Sequence, residues 1–549
     1  MSRRFPDIMS FIKSFILKAS ALLLLITLLC ACEPEKEEEV IQLPGSSQQG
    51  ESVKTEIVYG GTLRVPMNAS PTTMHPLYVR EALLRNVYSM VFEPLISFNE
   101  LYEPTSCIAE SWKYDAASGN WTIQLRANVH WHGDNGYLTG ADAAYTINTI
   151  ISDPESIYYQ ELSSYVELAH GYDNTLIIKA KSPSYALLYA LDIPVIPQKY
   201  YEGKNKLTFD LPVGSGPFEA ELFTFEGGTR MELKAFSKWW KKRPYIEKVV
   251  AIGYSNTEAV FSDFKSGKLD CVPSSLKTTE IYEILDGVNE ISYLSHNYVF
   301  LGYNLGRGLM QNPVFRKAIA YAVNRTDIIN NVYLKKATGA EQPLFNDTSL
   351  SSATVTRYDH NVMYAKELLE SISYRDNDGD GYIDINGNRL VITLAVLNEP
   401  ANPTRLEAAE YIASDLKAVG IYVNIVGETK ENLKKTVEKK NYDVILSGYA
   451  LSDSPSLDFI FRKNGSGNLS GYSSQKMDAA LDNMKKAGTL EELKTASLKV
   501  QEIIAEDLPQ IGLFFEMNTF LYSEKLHVSA ISRETKVYAD ISNWHFMEE

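Results

Sequence analysis

The sequence predicts a fold that mixes α/β and α+β organisation, and two patterns along the 549-residue chain lead to this prediction. From about residue 295, short apolar strands alternate with amphipathic helices, which is typical of α/β units. Before that point, strand pairs joined by turns are interspersed with helices, which favours α+β organisation. The chain is long enough for several domains.

The elements of the first half follow from strict alternation for strands and from apolar spacing of three to four residues for helices. In chain order they are a turn and short strand over 60–66, a helix over 81–91, a strand over 121–126, a helix over 140–151, a strand over 176–180 and a hairpin of 218–225 with 228–236. A tight turn at 213–217 precedes the hairpin, and Gly214 and Gly216 in it are expected to adopt positive φ.

The second half is predicted to alternate more regularly between strands and helices. In chain order the elements are a strand over 299–303, a helix over 312–322, a strand over 390–396, a helix over 404–419, strands over 421–426 and 442–446, and helices over 474–487 and 490–505. Asn312 is the expected N-cap, because Pro313 suits the first helical position. Gly420 is expected to end its helix.

The N-terminus has the layout of a secretory signal peptide over residues 1–31. Basic residues precede an apolar run at 19–29, and Leu-Cys-Ala-Cys closes that run. This ending resembles the bacterial lipobox, in which the last cysteine, here Cys32, carries lipid. A plain signal peptide or an N-terminal membrane anchor is the alternative. Residues 32–58 are then the lipidated cysteine and an acidic tether without aromatic residues until Tyr59, which predicts disorder.

Charge and cysteine content exclude several classes of protein. Removal of residues 1–31 deletes four basic residues and one acidic residue, so the net charge changes from −16 to −19. This acidity argues against nucleic acid as a partner and against polybasic docking on membranes. Cys107 and Cys271 are expected to be buried free thiols, with a disulfide as the alternative. Without a CxxC motif, a structural zinc site is not expected.

Eight sequence blocks occur in one order over nearly the whole body of the chain. They are GGTLRV at 60–65, AESW at 109–112, LRANVHWHGD at 125–134, LTGAD at 138–142, GSGPF at 214–218, FLGYNLGRG at 300–308, FRKAIAYAVNR at 315–325 and EDLPQIGLFF at 506–515. Together they resemble the extracellular solute-binding proteins of family 5, which are the oligopeptide, dipeptide and nickel binders of ABC importers. The resemblance implies a monomeric binding lipoprotein on the outer face of the cell membrane that delivers its ligand to a permease.

The resemblance also implies a two-lobed periplasmic-binding-protein-like fold with a ligand cleft and an inserted extra domain. Domain I would comprise residues 59–104, 213–293 and 516–549, domain II residues 105–212, and domain III residues 294–515. Two chain crossings, near residues 293 and 515, would form the hinge. Ligand would bind between the lobes, which would then close.

The resemblance places the expected ligand contacts in two segments. The family pattern aromatic-x-Ala-Asp-Tyr-x-x-Pro covers residues 448–455, where the aspartate that pairs with a peptide's amino group is replaced by Leu451. Asp453 is the expected substitute. The ligand-binding residues predicted here are Tyr449, Ala450, Leu451, Ser452 and Asp453, together with Met74 and His75 of the first loop. If partly buried, His75 would titrate near neutral pH.

Peptides or peptide-like solutes are the predicted ligands, and a sugar, a metal chelate or another small solute is the alternative suggested by Leu451. A secreted hydrolase is a remote alternative, because GxSxG and HExxH motifs are missing from the sequence, and neither catalytic residues nor cofactors are predicted.

Two motifs suggest metal sites. His130 and His132 point to the same face of a strand, but no third ligand follows from spacing, so a structural turn is favoured. The carboxylates of Asp376, Asp378, Asp380 and Asp384 are spaced like the first part of an EF-hand loop, with Gly387 where a bidentate Glu is needed. A weak calcium site and a solvated turn both remain open there.

Overall fold

The structure is a computed structural model that describes residues 59–274, 286–345, 348–400, 403–529, 534 and 536–547. The predicted signal peptide, the predicted lipidation site Cys32 and the predicted tether lie outside the described residues. Within the described part of the chain, no helix is both long enough and apolar enough to cross a membrane.

The strands of the described chain are numbered in chain order. They are β1 Thr62–Asn68, β2 Ile96–Phe98, β3 Pro104–Ser106, β4 Ala109–Asp115, β5 Asn120–Leu125, β6 Val166–Tyr172, β7 Thr175–Ala180, β8 Phe218–Thr224, β9 Arg230–Ala235, β10 Lys248–Tyr254, β11 Cys271–Ser274, β12 Val288–Tyr303, β13 Ala337–Gly339, β14 Asp384–Ile385, β15 Asn388–Arg389, β16 Val391–Leu397, β17 Tyr422–Glu428, β18 Val444–Ala450, β19 Gln510–Ser523, β20 Leu526–His527 and β21 His545–Phe546.

The α-helices are numbered in the same way, and two 3₁₀ helices span Tyr185–Leu191 and Ile541–Asn543. The α-helices are α1 Ala82–Val91, α2 Gly140–Ser152, α3 Tyr159–Tyr165, α4 Gln198–Tyr201, α5 Thr257–Lys265, α6 Gly308–Gln311, α7 Pro313–Ala322, α8 Arg325–Asn331, α9 Val362–Ser371, α10 Thr404–Ala418, α11 Lys430–Glu438, α12 Asp458–Phe461, α13 Gln475–Lys486 and α14 Leu490–Asp507.

Three sheets organise the described chain. One has the order β1-β10-β9-β8, with β1 and β10 parallel, and a second, antiparallel sheet has the order β4-β5-β7-β6. The largest sheet has seven strands in the order β11-β19-β12-β18-β16-β17, with β13 added beside β19. Its β16 is parallel to both β17 and β18, with α10 between β16 and β17 in the chain. The predicted mixture of α/β and α+β organisation is confirmed.

The predicted helices and strands are found within a few residues of their expected bounds, and the local signals act as expected. The side chain of Asn312 accepts a hydrogen bond from the backbone N–H of Val314, which caps α7. Thr139 and Asp142 form a reciprocal capping box at the start of α2. β12 is much longer than predicted, with 16 residues, because its first half, in which apolar and polar residues do not alternate strictly, pairs with β19.

The prediction of positive φ at Gly214 and Gly216 is wrong, since neither glycine has it. Both are needed for a close backbone approach instead. A Cβ on Gly214 would lie 2.0 Å from the carbonyl oxygen of Val91, and one on Gly216 would lie 2.5 Å from that of Met90. The GSGPF turn therefore packs directly against the end of α1.

β12 and β19 form an antiparallel pair that runs almost the whole length of both strands, with one pronounced irregularity. Leu294 pairs with Met517 and Tyr298 pairs with Phe515, so residues 295–297 lie opposite a single residue of β19, Glu516. A bulge of this kind bends the strand and redirects its side chains. It brings His296 to the cavity described next.

Candidate functional site

A cavity of about 270 Å³ lies among α1, the start of α3, the end of the first 3₁₀ helix with the segment after it, the β12 bulge, the segment after β18 and Lys536 near the C-terminus. The residues that line it come from six separate parts of the chain. They are Pro76, Arg85, Tyr88, Ser89, Phe92, Pro94, Ile157, Tyr158, Glu161, Tyr189, Ala190, Asp192, Ile193, Pro194, His296, Leu451, Ser452, Asp453 and Lys536.

Helix periodicity explains how two of these parts face the cavity. α1 buries Leu84, Val87 and Val91 in the core, and Arg85 and Ser89, one turn apart, line the cavity. The cavity wall therefore carries both positive and negative side chains, because Glu161 lines the same cavity from α3. Both Nε of Arg85 and Oε1 of Glu161 are shielded from solvent and have no hydrogen-bond partner among the described residues.

His296 connects three parts of the site. Its Nε2 lies 3.2 Å from Oδ1 of Asp453, and its Nδ1 lies 3.5 Å from Oε2 of Glu534. The backbone N–H of His296 donates to the same Glu534 oxygen at 2.7 Å, and its carbonyl accepts from Leu451 N–H at 2.9 Å. The imidazole therefore holds Asp453 in place at the cavity wall.

Two further charges in the wall pair with each other, since Lys536 Nζ forms an ion pair with Asp192. The Asp192 side chain is only 7% exposed, so this pair is largely desolvated. A buried pair of this kind is strongly bound once formed, because separating it leaves an uncompensated buried charge.

The pKa of Glu161 is raised to about 7, chiefly by burial, and the neighbouring charges of Asp453 and Asp192 act in the same direction. Hydrogen bonding from Ser454 and Ser452 acts in the opposite direction and does not compensate. A carboxyl group in this state gains a proton or a cation readily, because either one removes the cost of a desolvated negative charge.

A smaller apolar pocket of about 30 Å³ adjoins the cavity and shares Tyr189, Leu451, Ser452 and Asp453 with it. Its other walls include Tyr102, Leu344, Phe345, Leu457 and Phe459. The lining is mostly aromatic and aliphatic, so this pocket suits an apolar group of a molecule held in the cavity.

Comparison with known proteins decides the family. Residues 103–471 match the model of the bacterial extracellular solute-binding proteins, family 5 (middle region), which is well over half of the chain. The chain belongs to this family. Its members are non-catalytic substrate-binding proteins of ABC transporters that act outside the cytoplasm, so the prediction that this protein is not an enzyme is confirmed, and the hydrolase alternative falls.

Similar proteins support the assignment over the full length. The oligopeptide-binding protein AppA of Bacillus subtilis is 25% identical over 557 residues, covering 97% of this chain and 98% of that protein. The nickel-binding periplasmic protein of Escherichia coli is 23% identical over 385 residues, covering 67% of this chain and 71% of that protein.

Solved structures show the fold. The structure of the substrate-binding protein CtaP of Listeria monocytogenes matches with a TM-score of 0.75 and 20% identity, covering 89% of this chain and all of that one. The AppA structure of Bacillus subtilis, in complex with a nonapeptide, matches with a TM-score of 0.63 and 20% identity, covering 90% and 100%. The predicted periplasmic-binding-protein fold is confirmed.

Within this family 5 protein, the predicted contacts are divided between cavity and core. Leu451, Ser452 and Asp453 line the cavity. Tyr449 does not line it, since its ring stacks on Phe300 at 4.3 Å and its hydroxyl donates to the Gly467 carbonyl at 2.7 Å. Ala450, an exposed β18 residue opposite Asn297, does not line it either.

Met74 and His75 lie in the core, and Pro76 after them contributes to the cavity wall. The hydroxyl of Tyr88 donates to the Met74 carbonyl at 2.7 Å. The His75 ring lies 4.9 Å from those of both Tyr78 and Tyr201. Burial lowers the pKa of His75 to about 4, so His75 does not titrate near neutral pH as the sequence suggested.

Sequence reasoning missed Arg85, Glu161, His296 and Lys536. Arg85 and Glu161 occur once each in helices without a distinctive motif, and His296 lies before the strand that the sequence predicted. The only local signal is a charged residue on an otherwise half-buried helix, which is usual at protein surfaces. These four residues come together through long-range contacts alone.

The loop at 376–384, which has the EF-hand-like spacing, brings three of its four predicted carboxylates together. Oxygens of Asp376, Asp378 and Asp384 lie within 4.8 Å of one another, whereas Asp380 forms an ion pair with Arg389 at 2.5 Å. The backbone N–H groups of Gly379 and Gly381 donate to Asp376. The weak calcium site stays a prediction.

His132 has the structural role expected for the HWHGD segment. Its Nδ1 accepts from Gly214 N–H at 3.2 Å, so its Nε2–H donates to the Gly216 carbonyl at 2.9 Å. Burial lowers the pKa of His132 to about 4, which keeps this neutral tautomer at physiological pH. Cys107 and Cys271 are both buried free thiols, as predicted.

Proposed function

We propose that this protein captures a peptide or peptide-like solute in the cavity and delivers it to the permease of an ABC importer. The observation that carries the proposal is that the cavity wall holds both cationic and anionic side chains, from Arg85 and Lys536 to Glu161, Asp192 and Asp453. A peptide with free ends matches such a wall, because it has an ammonium group and a carboxylate.

Relatives with peptides in their names or structures support this ligand class. AppA of Bacillus subtilis is an oligopeptide-binding protein, and its structure contains a nonapeptide. The protein DppA of Helicobacter pylori, which has the same fold, is in complex with the peptide STSA. The apolar pocket beside the cavity would take an apolar side chain of the ligand.

A metal chelate is the second candidate, since the family includes nickel-binding relatives. His296 is the imidazole in the cavity wall, and carboxylates lie on both sides of it at 3.2 and 3.5 Å. Because these contacts occupy both ring nitrogens, we favour the peptide.

We propose that β12 and β19 are the two hinge segments, as the family resemblance implies. The bulge at 295–297 opposite Glu516 supports this proposal, because interrupted pairing is easier to bend than a regular ladder. With the boundaries given above, the proposed domains I and III are divided within β12 and β19, and the proposed domain II, residues 105–212, is inserted in domain I. Small-angle scattering with and without a bound ligand would test the proposal, since closure reduces the radius of gyration.

We propose that Cys32 carries the lipid that attaches the protein to the outer face of the cell membrane. Replacing it, as in Cys32→Ala, is expected to move the protein from the membrane fraction to the soluble extracytoplasmic fraction. Cys30→Ala is the matched control and should leave the protein in the membrane fraction. Equal distribution of both variants would contradict lipidation at Cys32.

The ligand class is tested by native mass spectrometry of the full chain after incubation with mixed peptides of two to nine residues. A set of added masses that match peptides is expected. Sugars and nickel chelates are tested in parallel, and binding of one of these in place of every peptide would overturn the proposed ligand class while leaving the family role intact.

A further inference from the structure

Two side chains of opposite charge, those of Arg85 and Glu161, line the cavity and form no ion pair with another described residue. Each also has one shielded polar atom without a hydrogen-bond partner among the described residues, Nε of Arg85 and Oε1 of Glu161. Leaving such atoms unpaired costs free energy, since each has lost its hydrogen bonds to water. Where such side chains line a cavity, a ligand of complementary charge can supply the missing partner.

The other charges of the cavity wall are already engaged with protein groups. Asp453 contacts His296 at 3.2 Å, and Asp192 forms an ion pair with Lys536. Among the described carboxylates of the wall, Glu161 is therefore the one without an ion-pair partner in the described chain, so its carboxylate is the expected contact for a new donor. By the same comparison, the guanidinium of Arg85 is the expected contact for a new acceptor.

We propose, on the basis of the proposed function, that the cavity holds a short zwitterionic peptide by both ends, with its ammonium group on Glu161 and its carboxylate on Arg85. An ammonium group donates three hydrogen bonds and a guanidinium group pairs well with a carboxylate. Binding of the amino group, which the family resemblance suggested for Asp453, is thus assigned to Glu161 of α3.

The size of the cavity limits the length of this peptide. A volume of about 270 Å³ is at or below the usual range for drug-sized ligands. A long peptide has ends too far apart for both to lie in one such cavity. Di- and tripeptides are therefore the expected class.

The experiment uses the full chain and four versions of a mixed tripeptide library: free ends, N-acetylated, C-amidated and blocked at both ends. The tripeptide that native mass spectrometry finds most enriched is then titrated calorimetrically in all four versions. Each single block is expected to weaken binding about tenfold or more, the scale for a lost hydrogen bond to a charged group.

Variants assign each end to its residue. In Glu161→Gln, N-acetylation is expected to weaken binding less than about threefold, while C-amidation keeps its full effect. In Arg85→Gln the pattern is reversed. Glu110→Gln and Arg230→Gln are the matched controls, since both residues are exposed on strands that do not line the cavity, and both should behave like the parent protein.

The outcomes separate this inference from the proposed function. If doubly blocked tripeptides bind as tightly as free ones, or if only longer peptides bind, the inference is wrong and the proposed function stands. If no peptide of any length or blocking state binds, the proposed function itself fails. Because the blocked ligands are tested on the parent protein, misfolding of a variant cannot hide the answer.

Discussion

Nε2 of His296 lies 3.2 Å from Oδ1 of Asp453, and this contact joins the bulge of β12 to the segment that follows β18. A second carboxylate, that of Glu534, lies 3.5 Å from the other ring nitrogen. The two acidic side chains thus contact different nitrogens of one imidazole, which fixes its orientation. Asp453 is consequently a structural partner of His296 as well as a wall of the cavity.

Because Asp453 is engaged with His296, replacing the charged side chain of Glu161 or of Asp453 by its neutral amide should change ligand affinity by different amounts. Glu161→Gln is expected to weaken tripeptide binding at pH 7.5 about tenfold, whereas Asp453→Asn should weaken it less than about threefold. Removing the charge of Asp453 also lowers the pKa of Glu161, which favours its ionised form. Isothermal titration calorimetry measures the affinities of both variants. A larger loss of affinity in Asp453→Asn would show that Asp453, and not Glu161, binds the amino group of the peptide.

Affinity for a peptide with a free amino group should depend on pH in a bell-shaped manner. Because the pKa of Glu161 is about 7, only about one tenth of this carboxyl is ionised at pH 6, and affinity there should be roughly tenfold lower than its maximum. Above about pH 8 the peptide's own amino group loses its proton, so affinity falls again.

The groups around Glu161 define the control for this pH profile. Asp453, Asp192 and Tyr165 face it from three different segments, and His296 lies in the same cavity. In Glu161→Gln the acidic limb should flatten, while any contribution of His296 would persist. An unchanged acidic limb in this variant would show that another group controls the profile.

The same carboxyl should make the ligand-free protein less stable as pH rises. Below about pH 4.5 Glu161 is protonated in both the folded and unfolded states, so it has no effect. Between about pH 4.5 and 7 the unfolded chain loses this proton first, so the free energy of unfolding decreases, by up to about 3 kcal/mol above pH 7.

Urea unfolding of the parent protein and of Glu161→Gln across this pH range measures that effect. The variant should become relatively more stable as pH rises, since glutamine has no charge to desolvate. Exposed Glu110→Gln should show no such trend. A constant difference between Glu161→Gln and the parent protein at all pH values would contradict the shifted pKa.

Gly214 should not tolerate even the smallest side chain. In Gly214→Ala the new Cβ would lie 2.0 Å from the Val91 carbonyl oxygen and 2.9 Å from the Phe92 ring, so α1 or the turn must move. We expect a loss of about 3 kcal/mol or more in the free energy of unfolding. Gly308→Ala is the control, because no heavy atom lies within 4 Å of its Cβ position. Equal stabilities of the two variants would disprove the close approach.

The sequence was sufficient for features that depend on neighbouring residues. Periodicity predicted α10 and α14, because one face of each helix is apolar over several turns. The Asn312-Pro313 pair predicted the start of α7, because an N-cap is a contact between residues two or three positions apart. The order of the motif blocks indicated the family, which the comparisons confirm.

Local patterns were insufficient where backbone segments distant in the sequence meet. The glycines of the GSGPF turn were assigned to a turn conformation, but the reason for them is the carbonyl group of Val91, more than a hundred residues earlier. The first half of β12 was not predicted, because its strand geometry comes from pairing with β19 and not from its own composition.

By itself, the sequence determined the family, the fold class and most of the elements, since these are written in local spacing and in ordered motifs. Only the tertiary structure decided which charges share the cavity. Arg85, Glu161, His296 and Asp453 belong to four segments, and their contacts depend on the packing of α1, α3, β12 and the segment after β18. Burial and charge pairing are properties of that packing, so the chemistry of the site could not be derived from any one stretch of the chain.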